Sequence, residues 1–472
     1  MANSWATYGV DLHLEPTGPG VRRGLTDALR EAVRTGRLAP GTRLPSSRSL
    51  AADLGLARNT VAEAYADLVA EGWLTARQGS GTRVAAGAGS TPDGQRGSAA
   101  PPPAGAAPPR RERPGPVHDL LPGTPDLASF PRAAWLRAAR RALAAAPHGA
   151  LGYGDPRGRA ELRTVLAGHL ARVRGVRTDP ERVLVCAGFV HGLRILGAAL
   201  RARGVRTVAV ESYGLDIHWR LLTEAGLRVR PLPFDELGTD TGALGDADAV
   251  LLTPAHQFPM GVPLHPGRRA AVVDWARRTG GLVLEDDYDG QFRYDRQPIG
   301  ALQGLDPDRV VYLGTASKSL APGLRLAWMA LPPAFAEEAA VAKGGTETCG
   351  VLDQLTLAEF MASGAHDRHV RACRLRYRRR RDALVAALAA RAPAVHATGI
   401  AAGLHAVLRL PPGTEQSVVR AASWQGLALW GLSRFRHPDA VTDPLDALVV
   451  GYGTPPDHAW PGALDALCRV LP

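Results

Sequence analysis

The sequence predicts an α/β protein in two parts. A small helical domain closed by a two-stranded hairpin comes first. A large domain follows, with a mostly parallel sheet and a smaller C-terminal lobe. Three observations carry this. A Pro/Gly/Ala-rich stretch over 86–116 splits the 472 residues unequally. Amphipathic stripes with capping signals fill the segment before it. Beyond it, apolar strand-like runs recur, each ending in a loop of polar, reactive residues.

Composition narrows the function classes. Hydrophobic residues make up 45% and charged residues 21%, which excludes global disorder. The formal net charge of +11 favours a polyanionic partner. Of 56 Lys plus Arg, only Lys318 and Lys343 are lysines. Chemistry that needs a primary amine therefore has two candidates. Cys186, Cys349, Cys373 and Cys468 are scattered without a CxxC, which argues against a disulfide framework and against a structural metal site. The N-terminus MANSWATYGVDLHLEP lacks the apolar core of a signal peptide. No apolar window reaches about 18 residues. A cytoplasmic protein without a membrane partner is expected.

The small domain is placed at 12–85, the linker at 86–116 and the large domain at 117–472. In the first, Leu25, Leu29, Ala32 and Val33 space as one helical face. Ser46 or Ser47 can cap a second helix, and Gly55 can end it. Val61, Tyr65, Leu68 and Val69 form the stripe of a third, which Gly72 ends. The run WLTARQGSGTRV reads as two short strands around a Gln78-Gly79-Ser80-Gly81 tip. Three helices and a two-stranded wing make a winged helix-turn-helix. Arg58, Asn59 and Thr60 open the third helix, where free N–H groups and short side chains meet phosphates and base edges. Arg43 and Arg48 flank the second helix, and Arg77 and Arg83 the wing. Residues 21–84 hold ten Arg and six Asp/Glu, a net of +4.

The run GRLAPGTRLPSSRSLAADLGLARNTVAEAYADLVAEGWLTARQGSGTRV resembles the DNA-binding domain of GntR-family transcription regulators along nearly its whole length. The resemblance implies a double-stranded DNA operator as partner. It places Arg48, Arg58, Asn59, Thr60, Gln78 and Gly79 at DNA, with Arg43 and Ser46 beside them. Ala62 stands where many members carry a second helix arginine, so operator preference is expected to differ.

In the large domain, RVLVCAGF passes through Gly188 and Phe189 into a helix, offering free amides to a phosphate. GLVLEDDYD ends in Asp286, Asp287 and Tyr288, and RVVYLGTASKS ends in Lys318. Ligands gather at the carboxyl ends of parallel strands. A lysine amine can form an imine with an aldehyde, and an acid facing a pyridine nitrogen keeps it protonated. That pairing is the signature of pyridoxal 5'-phosphate. Lys318 follows a strand, with Thr315 and Ser317 before it and Arg325 seven residues on. Lys343, in AKGGTETCG, has no preceding strand.

These stretches are similar to fold type I aminotransferases. They are closer still to the MocR subfamily of GntR regulators, which fuse a winged helix to an aminotransferase-like domain. TPAHQFPMG, LEDDYDGQFRYDRQPIGALQGLD and VVYLGTASKSLAPGLRLAWMALPP carry the resemblance. It implies that Lys318 forms the imine, Asp286 pairs with the pyridine nitrogen and Tyr288 lies near the ring hydroxyl. Arg325, Thr315, Ser317, Gly188 and Phe189 would hold the phosphate. Tyr153, in YGDPRG, would reach the cofactor phosphate of the partner subunit of a homodimer. Leu215 replaces the usual ring-stacking aromatic, leaving Tyr213 and Phe189 as candidates. Arg434 and Arg436, in SRFRH, lie in the region where an arginine binds an effector carboxylate, and Arg434 is the chosen candidate. The arginine-rich RACRLRYRRRRD from Arg371 reads as a surface helix bridging to carboxylates rather than a DNA contact.

The implied function is a pyridoxal-phosphate-responsive transcription regulator that senses the cofactor or an amine or amino acid effector. It would control vitamin B6 or amino-acid metabolism genes. The rival readings are a working aminotransferase carrying a DNA tether and a DNA-binding protein whose large domain only dimerises.

Overall fold

The computed structural model describes residues 20–77, 81–86, 116–294, 299–345 and 349–472. The chain divides into two compact units, Met1–Arg111 and Glu112–Pro472. Among the described residues, no helix is long and apolar enough to cross a membrane.

In the first unit, α1 (Val21–Arg34), α2 (Ser47–Leu54) and α3 (Arg58–Ala70) precede β1 (Leu74–Arg77) and β2 (Gly81–Val84). Leu74 pairs antiparallel with Val84, which closes the wing. The Ser46 hydroxyl caps α2 by accepting from the Ser49 N–H, and Gly55 ends it at φ 66°. Leu25, Leu29, Val33, Leu50, Val61, Tyr65 and Leu68 share one core. Val69 departs from its expected stripe: it is 37% exposed, and Ala64 is buried instead. Eight residues at 3.6 per turn carry Val69 roughly 80° past Val61, off the buried face.

The second unit opens with β3 (His118–Asp119), α4 (Arg132–Ala145), α5 (Ala160–Arg174), β4 (Val183–Cys186), α6 (Phe189–Ala202), β5 (Thr207–Glu211), α7 (Asp216–Glu224) and β6 (Arg228–Leu232). Two short strands, β7 (Phe234–Asp235) and β8 (Gly238–Thr239), lead to β9 (Ala249–Leu252), α8 (Pro266–Thr279), β10 (Leu282–Asp286), β11 (Val310–Thr315) and β12 (Ala327–Ala330). Then come α9 (Pro333–Lys343), α10 (Val351–Ala362) and the long α11 (Ala365–Arg391). The C-terminal lobe holds β13 (His396–Thr398), β14 (Ala406–Arg409), α12 (Glu415–Trp424), β15 (Leu427–Ala428), β16 (Trp430–Gly431), β17 (Ala447–Val450) and α13 (Trp460–Val470).

Seven strands form the main sheet in the order β4-β12-β11-β10-β9-β5-β6. All pairs are parallel except those of β12, which is antiparallel to both β11 and β4. Two reversals cancel, so β4 points the same way as β11. The carboxyl ends of β4, β5, β9, β10 and β11 therefore share one edge. Every residue of β10 and β11 is buried, as expected of a parallel sheet covered on both faces. Alternation assigns the faces: Leu284 packs with Leu193 and Phe335, whereas Val283 packs with Val272 and Trp275. The lobe closes its own four-stranded sheet, β13-β14-β17-β16, against α11 and α13.

In the arginine-rich helix, Arg376, Arg378 and Arg380 bridge to carboxylates, whereas Arg371, Arg374, Arg379 and Arg381 form no ion pair among the described residues. Arg380 is buried, with Nη2 3.1 Å from Asp126 and 2.6 Å from Asp457. Its Nη1 donates to the Tyr452 carbonyl at 3.1 Å. Removing one member strands a buried charge, so Arg380→Met is expected to lower stability by about 3–5 kcal/mol. Denaturant unfolding of the full chain measures this. Arg378→Met, whose 3.9 Å contact to Asp382 is exposed, should shift it by less than about 1 kcal/mol.

Candidate functional site

A cavity of about 380 Å³ opens where the carboxyl ends of the strands meet. Its wall brings together Asp286, Tyr288, Thr315, Ser317, Lys318, Arg325 and Phe189. Gly188 stands directly behind: a Cβ there would sit 2.7 Å from Arg325 Nη2, and its φ is +85°. A side chain at 188 would thus displace the guanidinium. Tyr153 is not in the wall and stands fully exposed. Arg434 is also outside the lining; its guanidinium lies 4.5 Å over the Trp430 ring, which does line the cavity.

Strand β10 delivers Asp286 from an apolar, fully buried run. Its Oδ1 has no hydrogen-bond partner. Burial raises its pKa well above the carboxylate range, opposed by the Lys318 charge. Lys318 follows β11 through Ala316 and Ser317, and its Nζ donates to the Gly123 carbonyl at 2.5 Å. Burial lowers the lysine pKa, while Asp286 and Asp289 hold it up. A buried carboxylate oxygen without a partner, next to an amine of depressed pKa, fits a pyridine nitrogen on one side and an aldehyde on the other.

One end of the cavity suits a phosphate. Helix α6 begins at Gly188 with no side-chain cap, leaving its first amides for a ligand. Arg325 donates to the Ala187 carbonyl at 2.7 Å. It holds φ 53°, the one left-handed non-glycine among the described residues, an uncommon conformation that clusters at ligand sites. The Thr315 hydroxyl donates to Ser317 Oγ at 2.9 Å and accepts from the Ser317 N–H at 3.0 Å. The Tyr288 hydroxyl donates to the His256 carbonyl at 3.1 Å. His256 Nδ1 in turn lies 2.8 Å from Asp289.

Several wall residues escaped the sequence reading. Leu215 lines the cavity beside both aromatic candidates, Tyr213 and Phe189. The Tyr213 hydroxyl, however, is 3.4 Å from the Asp443 carbonyl. Phe189 packs at 4.6 Å against His218, whose pKa burial pushes down to about 4. His218 sits on α7 in DIHW, a run indistinguishable by pattern from an ordinary helix. His405 and Trp430 come from the C-terminal lobe, and no local pattern announces them.

In the small unit, Arg43, Ser46, Arg48, Arg58 and Asn59 are exposed and Thr60 half-buried. Gln78 and Gly79 lie outside the described residues. The charges segregate. Arg22 pairs with Glu63 and Asp67, Arg30 with Asp27 and Glu71, and Arg34 with Glu31. Arg43, Arg48 and Arg58 form no ion pair among the described residues. Helix α3 begins after Ala57 with no side-chain cap. A free helix N-terminus and three arginines without ion pairs among the described residues suit an anionic polymer.

Residues 22–84 match the family model for bacterial regulatory proteins of the gntR family, and residues 122–430 match that for aminotransferase class I and II. The chain is 35% identical over 442 residues to the HTH-type pyridoxine biosynthesis transcriptional regulator PdxR of Corynebacterium glutamicum, covering 93% of each chain. It is 32% identical over 452 residues to the probable rhizopine catabolism regulatory protein MocR of Rhizobium meliloti, covering 92% of this chain and 90% of that one. Among solved structures, the kynurenine aminotransferase of Pyrococcus horikoshii, in complex with PMP, is similar in fold. Its TM-score is 0.67 at 24% identity, over 76% of this chain and 91% of that one.

Proposed function

The chain belongs to the MocR-type GntR regulators, and from that premise we propose that it binds double-stranded operator DNA through its small unit and senses pyridoxal 5'-phosphate through Lys318. One observation carries the sensing half: Lys318 and the partnerless carboxylate of Asp286 face the same cavity. When bound, the cofactor supplies an aldehyde and a protonatable pyridine ring. Lys318 would supply the amine for that aldehyde, and Asp286 the acid partner of the ring nitrogen. Tyr288 lies near the ring hydroxyl. Arg325, Thr315, Ser317 and the amides after Gly188 bind the phosphate. Tyr153 reaches the cofactor phosphate of the partner subunit in a homodimer, a role supported by its full exposure. The effector is pyridoxal phosphate itself, a choice supported by the relative named for pyridoxine biosynthesis. An amine or amino acid that competes for the aldehyde is the other candidate class, with Arg434 as its carboxylate anchor.

A ligand shifts DNA affinity only by its differential affinity for the two states of the regulator. The test is an absorbance titration with pyridoxal phosphate and candidate amines, run beside binding to the upstream intergenic DNA. Visible imine absorbance with a matching change in DNA affinity is expected. Absorbance that never develops overturns the sensing role. The catalytic pair Lys318 and Asp286 also suits an aminotransferase, so an amino donor and a keto acid belong in the same series. Sustained product formation would replace the sensor by an enzyme.

The DNA half has its own test. Arg58→Ala is expected to weaken operator binding by roughly 1–3 kcal/mol. A gel-shift series against operator and unrelated DNA separates the two contacts. Loss confined to the operator assigns Arg58 to a base, and uniform loss with a shallower salt dependence assigns it to phosphate.

A further inference from the structure

A second cavity, about 520 Å³, lies within the large unit between α5, α11 and the segment after β10, with no lining residue in common with the first. Five arginines, two histidines and a single carboxylate line it. We propose that this cavity binds a small oxyanion of the phosphate or phosphate-monoester class. The inference is independent of the cofactor reading above.

The charge balance decides the sign of the ligand. Arg172 pairs with Asp367 at 2.7 Å, and Arg174 pairs with Asp287 at 2.6 Å from its buried position. Those two cations are already neutralised. Among the described residues, Arg374 donates only to the Gln291 carbonyl, at 3.1 and 2.6 Å. Arg371, on the exposed side of α11, has no partner among the described residues. A carbonyl does not cancel the Arg374 guanidinium charge, so Arg371 and Arg374 leave the described lining net positive.

A buried ring nitrogen strengthens the case. His366 is 4% exposed, and its Nδ1 has no hydrogen-bond partner; Asp367 Oδ1 lies 3.9 Å away, beyond reach. A buried polar atom left unpaired is costly, and a ligand oxygen would satisfy it. Guanidinium forks and an imidazole N–H match a tetrahedral oxyanion. His169, His366 and Asp367 also have the spacing of metal ligands. The arginines around them oppose a cation.

The test uses the full chain loaded with pyridoxal phosphate, titrated calorimetrically with inorganic phosphate and with phenyl phosphate. Saturable binding is expected, and Arg371→Ala and Arg374→Ala should each weaken it more than tenfold. Arg379→Ala, an exposed arginine of the same helix outside the lining, should leave it unchanged. Tighter binding of phenyl phosphate would assign the site to an organic phosphate, and equal binding to free phosphate. An Arg325→Ala arm separates this site from the cofactor cavity, and keeps the test readable even if pyridoxal phosphate fails to load. Four outcomes of the binding assays overturn the proposal. These are no saturable heat, equal loss in Arg379→Ala, loss only in Arg325→Ala, and zinc binding lost in His366→Ala without any phosphate binding. Weakened DNA binding in Arg371→Ala with no small-anion binding would likewise overturn it, and give the patch to nucleic acid.

Discussion

Lys318→Ala is expected to abolish both the visible absorbance that pyridoxal phosphate gives the protein and the adduct fixed by borohydride. The effect is all-or-none, because the chain has only one other lysine. Lys343 ends α9, lines neither cavity and donates its Nζ hydrogen bond to the Pro156 carbonyl. Lys343→Met is therefore expected to keep the absorbance, with circular dichroism checking that the buried site still folds. Pyridoxal phosphate should still enter the Lys318→Ala cavity without bonding to it, because Arg325 and the α6 amides are unchanged. Operator binding by that variant should then lose its response to the cofactor but persist. Peptide mapping of the borohydride-treated protein locates the adduct. An adduct at position 343 or at the N-terminus would remove Lys318 from its role.

The readable features were those whose physics is local. Ser46 as a cap, Gly55 as a left-handed stop and the buried runs of β10 and β11 each follow from a few neighbouring residues. The chemistry at strand ends was readable for the same reason: a parallel sheet delivers Asp286 and Lys318 to one edge wherever the strands pair. Val69 shows the limit of spacing, since a four-residue stripe drifts off the face by its eighth residue. The cavity wall shows the deeper limit. Trp430 and His405 reach it from the lobe, and His218 from the middle of α7, so their placement depends on packing between distant elements. The second cavity was invisible for a related reason. Arg371 and Arg374 stand in the same arginine run as Arg376 and Arg380, which pair with Asp457. Only the helix's neighbours decide which arginines meet a carboxylate.

Asp286 is the position where a one-atom change should have the next largest effect. Its Oδ1 has no partner, and burial holds its pKa well above the ordinary carboxylate value. Before the ring arrives, the buried carboxyl is disfavoured as an anion; beside a pyridinium the anion becomes the stable form. A protonated ring nitrogen would therefore find its counter-charge in Asp286. Asp286→Asn keeps the shape but cannot hold a positive ring nitrogen, so the cofactor should bind with an unprotonated ring and a changed visible spectrum. Asp286→Ala leaves the ring nitrogen unsatisfied in a dry cavity, and affinity should fall by about 1–3 kcal/mol. Spectral titration of both variants reads the two effects separately. If Asn and Ala variants bind pyridoxal phosphate with the wild-type spectrum and affinity, the acid does not face the ring, and the cofactor must lie elsewhere in the cavity.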